Sequence, residues 1–174
     1  VTAGPTAIIL IAVVVVVLLL IRLAIVIVRP NSNAVVERVG RFRGVLEPGT
    51  HLILPVVDRV RARVDRREQV AQLSELHVTT SDNKNAAVSM AIYFAVSDPR
   101  LAVYESSNYA AAVAELANTT IRNLLGGMTM TQARESYHPI RGQLESLLRA
   151  EVSRWGVMVS RIELVSIDQA VSNA

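Results

Sequence analysis

The side chains able to do chemistry in this 174-residue chain are few and scattered. His51, His77 and His138 belong to no HxH or HExxH pair that would set two imidazoles on one face for a metal. His77 and Asp82 could bracket a cation, but the shoulder of a hairpin explains both more simply. There is no cysteine, which excludes disulfides, thiolate nucleophiles, Cys-ligated zinc, iron–sulfur clusters and S-acylation. No GxSxG elbow presents a serine, and no GxxxxGK(S/T) loop cradles phosphate; Gly126-Gly127 falls at a helix end, not a helix start. Asn118-Thr119-Thr120 matches a glycosylation sequon in the middle of a predicted helix, a chance match. The basic residues are not interleaved with stacking aromatics, as single-stranded nucleic-acid binding requires. The expectation is a protein that is not an enzyme, with no cofactor, no metal and no nucleic-acid partner.

The elements that position these residues begin with an apolar run. Residues 7–28 read AIILIAVVVVVLLLIRLAIVIV, interrupted only by Arg22. Twenty-two residues as helix would span about 33 Å, close to the ~30 Å hydrocarbon core of a bilayer. A transmembrane helix is therefore expected over 7–28, with Ala7, Ile8, Ile9, Leu10, Leu18, Leu19, Leu20, Ile21, Ile25 and Val28 as anchors and Arg22 snorkelling to the interface. A cleaved signal peptide fits less well, because VTAGPT has no basic group and no small-x-small site follows. A tail of residues 1–6 precedes the span. Arg29, Arg38, Arg41 and Arg43 follow it, which places the N-terminus outside and the large domain in the cytoplasm.

Beyond the Pro30–Asn33 breaker the reading is α+β, strands first and helices after. AVVERVG and RFRGVL are two short strands, and Glu47-Pro48-Gly49 is a turn. In RVRARVD, Arg59, Arg61 and Arg63 alternate with Val60, Ala62 and Val64, the period of a strand. LHVTT and AAVSMAIYFAV form a hairpin around residues 81–85. A helix starts at Tyr109, capped by Asn108 and stopped by Gly126-Gly127; a second starts near Pro139 and ends at Gly156, with Ile140, Leu144, Leu147, Leu148, Val152 and Trp155 on one side. VMVSRIELVSI is a final strand.

Charge is uneven. Residues 29–67 hold nine Arg against four acids, and residues 68–174 eight basic groups against eleven acids. Arg29, Arg38, Arg41, Arg43, Arg59, Arg61 and Arg63 are thus candidates for anionic headgroup contact; a solvated strand face accounts equally for Arg59, Arg61 and Arg63. Residues 46–57 either dip into the interface or form a core turn.

Three ordered blocks carry a family resemblance. AVVERVGRFRGVLEPGTHLILPVVDRV (34–60), VTTSDNKNAAVSMAIYFAVSDP (78–99) and the helix–helix–strand block 117–167 are similar to the stomatin/prohibitin, or SPFH/band 7, domain, in its bacterial stomatin-like branch. The resemblance covers roughly 28–168, hence a domain at 29–168. It implies a membrane scaffold that assembles into rings or cages, organises membrane microdomains and modulates partners such as membrane proteases, channels or an NfeD-type membrane protein. The alternative is a periplasmic-side regulatory subunit of a membrane AAA protease, as in the HflK/HflC branch. It also implies structural roles for Pro48, Gly49 and Pro55 in a membrane-proximal turn, Asp98-Pro99 at the end of the hairpin, and Trp155-Gly156 at the end of the last helix. Residues 169–174 would begin a C-terminal helical region that the family uses for assembly and that is missing here.

Overall fold

A computed structural model describes residues 4–169, apart from the side chains of Pro5, Thr6, Ile8 and Gln169. The start of the expected 1–6 tail and residues 170–174 of the expected helical region lie outside the described residues. The chain divides into two compact units, residues 1–65 and 66–174.

The first unit opens with helix α1 (Pro5–Ala24), Pro5 sitting at its first turn, where a missing N–H is harmless. The expected helix over 7–28 is corrected at its end: Ile25–Val28 is strand β1. A continuous apolar run does not by itself distinguish helix from strand, and four β-branched residues before Pro30 favour the strand. Strand β1 pairs antiparallel with β4 (Gly49–Leu52), Ile25 opposite Leu52 and Val28 opposite Gly49. Val28 is 2% exposed and packs with Val26, Ala34 and Ile53, so it belongs to a protein core, not to an anchor. Among the described residues no helix is long and apolar enough to cross a membrane.

A second, three-stranded antiparallel sheet has β2 (Ser32–Arg38) between β3 (Arg41–Leu46) and β5 (Asp58–Asp65). Central β2 buries Asn33, Ala34, Val35 and Val36 in succession. Edge strand β5 alternates, exposing Arg59, Arg61 and Arg63 and turning Val60, Ala62 and Val64 inward.

The second unit is a helix layer on an antiparallel sheet, β7 (Asn85–Val96) flanked by β6 (Gln69–Thr79) and β8 (Val157–Gln169). Its core joins Val88, Met90, Ile92 and Phe94 of β7 to Val113, Ala117, Ile121 and Leu125 of α3 (Tyr109–Gly126). Ile140, Leu144, Leu148 and Val152 of α5 (Tyr137–Val152) complete it. Leu147 is corrected: it is 49% exposed although it shares the predicted apolar face. Two six-residue helices, α2 (Pro99–Tyr104) and α4 (Met130–Glu135), complete the layer. Each is capped by its own sequence, α2 by Asp98 and α4 by a Thr129/Gln132 capping box.

Candidate membrane interface

The end of α1 and the apolar residues after β4 meet at one end of the first unit. Ala24 ends α1 and its carbonyl accepts the Ile53 N–H at 2.8 Å. Residues 53–57 then form a tight turn, closed by Val57 N–H and Asp58 N–H, which both donate to the Leu54 carbonyl. Leu52, Leu54 and Val56 are exposed, Val56 by 86%. Leu20, Ile21 and Ala24 of α1 share an apolar groove of about 490 Å³ with Ile53, Leu54, Pro55, Val56 and Val57. The apolar side chains of α1, including Ile9, Leu10, Leu18, Leu19 and Ile21, are exposed along its length, with no polar face. Ala7 is half-buried and Arg22 stands in the last turn. The Ile8 side chain lies outside the described residues.

One buried carboxylate organises this end. Asp58 accepts from Arg38 Nε at 2.7 Å and Nη2 at 3.1 Å, from Arg43 Nη1, and from the Leu54 N–H at 3.0 Å. The Asp58 side chain is fully buried while both arginines remain two-fifths exposed. Hydrogen bonding from Arg38 foremost, helped by the Leu54 N–H and the charge of Arg43, outweighs burial and holds the Asp58 carboxyl at about 2. The same contact raises the Arg38 guanidinium above its ordinary value. Two of the headgroup candidates are therefore held in a clamp on the 53–57 turn.

The other arginines are sorted by topology. Because Arg38 pairs opposite Asp58 and Ser32 opposite Asp65, Arg41 and Arg59 lie at the α1 end of the sheet, and Arg63 lies toward the far end. Arg29, after the residue paired with Gly49, is also far. Arg61 approaches Glu37 at 3.7 Å; Arg41, Arg59 and Arg63 have no acidic partner among the described residues. Pro48-Gly49 and Pro55 are not parts of one turn. The former begins β4 at the end opposite Pro55, with Gly49 at φ 139° and His51 Nε2 contacting the Glu47 carbonyl at 2.7 Å.

In the second unit the structure joins Asp98-Pro99 to Trp155-Gly156. Asp98 caps α2 by accepting from the Arg100 and Leu101 N–H groups. The Gly156 carbonyl accepts from the Ser97 and Asp98 N–H groups and from the Ser97 hydroxyl. Gly156 has φ 64°, and a Cβ there would sit 2.3 Å from the Asp98 carbonyl oxygen. Asp82 is likewise structural. Its carboxylate accepts from Thr80 Oγ1 at 2.6 Å and from the Met130 N–H at the start of α4, and pairs with Lys84 at 3.1 Å. The Thr80 hydrogen bond above all holds its carboxyl at about 2. The Ser81-x-x-Lys84 spacing, which places a base beside a nucleophile in some acyl-transfer enzymes, here falls in a turn with Lys84 committed to Asp82. Among the described residues no three His, Asp or Glu are grouped to hold a metal, and Asn118 accepts from Arg122 within α3.

The clamp and the Val39-Gly40 turn had no forecast in sequence. Arg38 and Arg43 lie 20 and 15 residues from Asp58, and such pairing leaves no local signal.

The chain matches the SPFH domain / Band 7 family over residues 26–174. It is 44% identical over 135 residues to an uncharacterised protein of Mycobacterium tuberculosis, covering 78% of this chain and 35% of the relative. It is 33% identical over 145 residues to an uncharacterised protein of Methanocaldococcus jannaschii, covering 83% of this chain and 72% of that one. It is 31% identical over 147 residues to the human mitochondrial stomatin-like protein 2, covering 84% of this chain and 41% of the relative. The chain thus spans about a third of the Mycobacterium relative. Strand-rich first unit, helix-on-sheet second unit and the matching span agree: the chain belongs to the SPFH/band 7 family.

Proposed function

We propose that this chain is a membrane-anchored, stomatin-like scaffold. SPFH proteins are generally non-enzymatic, commonly oligomerise and associate with membranes. The observation that carries the reading is the contiguous apolar surface formed by α1 and the 52–57 segment. An exposed apolar surface of this extent marks a membrane or protein contact. In lipid, α1 meets no penalty for its exposed Val and Leu side chains, and its backbone groups are satisfied internally. Arg22 in its last turn reaches the headgroups, joined by Arg41 and Arg59.

In this reading α1 anchors the chain in the cell membrane as a single pass, with the N-terminus outside and the SPFH domain cytoplasmic. The 53–57 turn rests in the interface. Neighbouring copies, held in one orientation, meet at high effective concentration and close into rings that organise the surrounding membrane. Other membrane proteins, such as an NfeD-type protein or a membrane protease, are the clients such a ring would modulate. The mass of the full-length protein, C-terminal region included, extracted in mild detergent tests the scaffold: a multimer is expected, and a monomer at all concentrations contradicts it. A topology reporter after Ala174 active only in the cytoplasm is expected; activity on the opposite side would favour a periplasmic-side protease subunit.

A further inference from the structure

We propose that the Val39-Gly40 turn is a second apolar prong of this interface, so that the first unit docks on lipid through Val39 as well as through Leu54 and Val56. The inference rests on the membrane-anchored reading above. Val39 and Gly40 join β2 to β3 with φ 50° and 75°. A two-residue turn with both residues left-handed is ordinarily Asn-Gly or Asp-Gly, and a β-branched residue at positive φ is a genuine outlier. Strain of this kind at a surface position points to a use for the side chain. Val39 is 80% exposed, so packing within the protein is not that use.

Position identifies the occupant. The Val39 N–H donates to the Val57 carbonyl at 3.0 Å, which ties the strained turn directly to the apolar 53–57 turn. The sheet register puts both at the α1 end. Arg38 and Arg41 flank the turn on either side, both exposed. An apolar tip between two exposed arginines, hydrogen-bonded to the apolar 53–57 turn, matches the boundary between anionic headgroups and acyl chains.

The absence of native cysteine permits a direct test on the full chain. An environment-sensitive fluorophore is attached to Val39→Cys or, separately, to Val56→Cys. Each protein is reconstituted in phosphatidylcholine/phosphatidylglycerol vesicles whose acyl chains are brominated near the carbonyls. Both labels are expected to show apolar emission and quenching. Quenching at 56 with water-like emission at 39 overturns this inference and leaves the membrane reading standing; neither label quenched overturns both placements. Emission at 39 that turns apolar only as protein density rises assigns the turn to a second copy and overturns the proposal. As a second variant, Val39→Asn relieves the strain and should raise the melting temperature by about 2–4 °C, yet lessen quenching at 56. An unchanged melting temperature or unchanged quenching would overturn the argument from strain.

Discussion

Replacing Arg41 and Arg59 together by Gln should release anionic lipid from around the chain, whereas replacing Arg29 and Arg63 should do little. Arg59 is one residue past Asp58, beside the 53–57 turn; Arg63 is four residues further along β5, about 13 Å at ~3.3 Å per residue. Arg29 is five residues beyond the end of α1, about 16 Å on the same scale. Each Arg at the surface attracts anionic lipid by about 1 kcal/mol, and the attraction decays over a Debye length of about 8 Å at physiological salt. The near pair then contributes about 2 kcal/mol and the far pair about 0.3 kcal/mol, roughly 30-fold against 2-fold in local lipid enrichment. The assay is energy transfer from a donor on Thr50→Cys to a trace of labelled phosphatidylglycerol in phosphatidylcholine vesicles, repeated at high salt. Equal losses from the two pairs, or transfer indifferent to salt, would refute the placement of the arginines.

Three further outcomes follow from the packing and the carboxylates. Gly156→Ala forces positive φ on a residue with a Cβ and drives that Cβ into the Asp98 carbonyl, and should cost about 2–5 kcal/mol in urea unfolding of the detergent-solubilised chain. Leu144→Ala should cost about 2–5 kcal/mol because it empties a fully buried site, while Leu147→Ala on the same helix should cost under ~1 kcal/mol. Asp58 and Asp82 both have folded-state carboxyls near 2, below the ordinary ~4, so the unfolded chain binds more protons between those values. Stability is therefore full above about pH 4 and lost as pH falls toward 2; Asp58→Asn and Asp82→Asn should each flatten that acid limb in a melting-versus-pH series.

Much of this architecture was legible, and the reasons differ by element. Asn108 caps α3 through the Ala111 N–H and Gly126 is its last residue, so its ends were written in residue types. The alternation of β5 survives because one face is solvated. Strand β1 was hidden because apolar residues that pair with β4 look the same as a continued helix. Helices α2 and α4 are too short to show a 3.6-residue period, although Asp98-Pro99 and Thr129-x-x-Gln132 mark their starts. At the candidate interface, the apolar α1 and the Arg-rich strands were readable as composition. The Asp58 clamp was not, because it assembles three residues from β2, β3 and β5. Nor was the left-handed Val39, whose side chain alone would have suggested a strand.

The central claim is that the apolar front of the chain holds it in lipid. Flotation of vesicles carrying the full chain after an alkaline carbonate wash is the most direct measurement. The chain should rise with the lipid and resist extraction; recovery of intact chain in the wash, free of vesicles, would contradict the account.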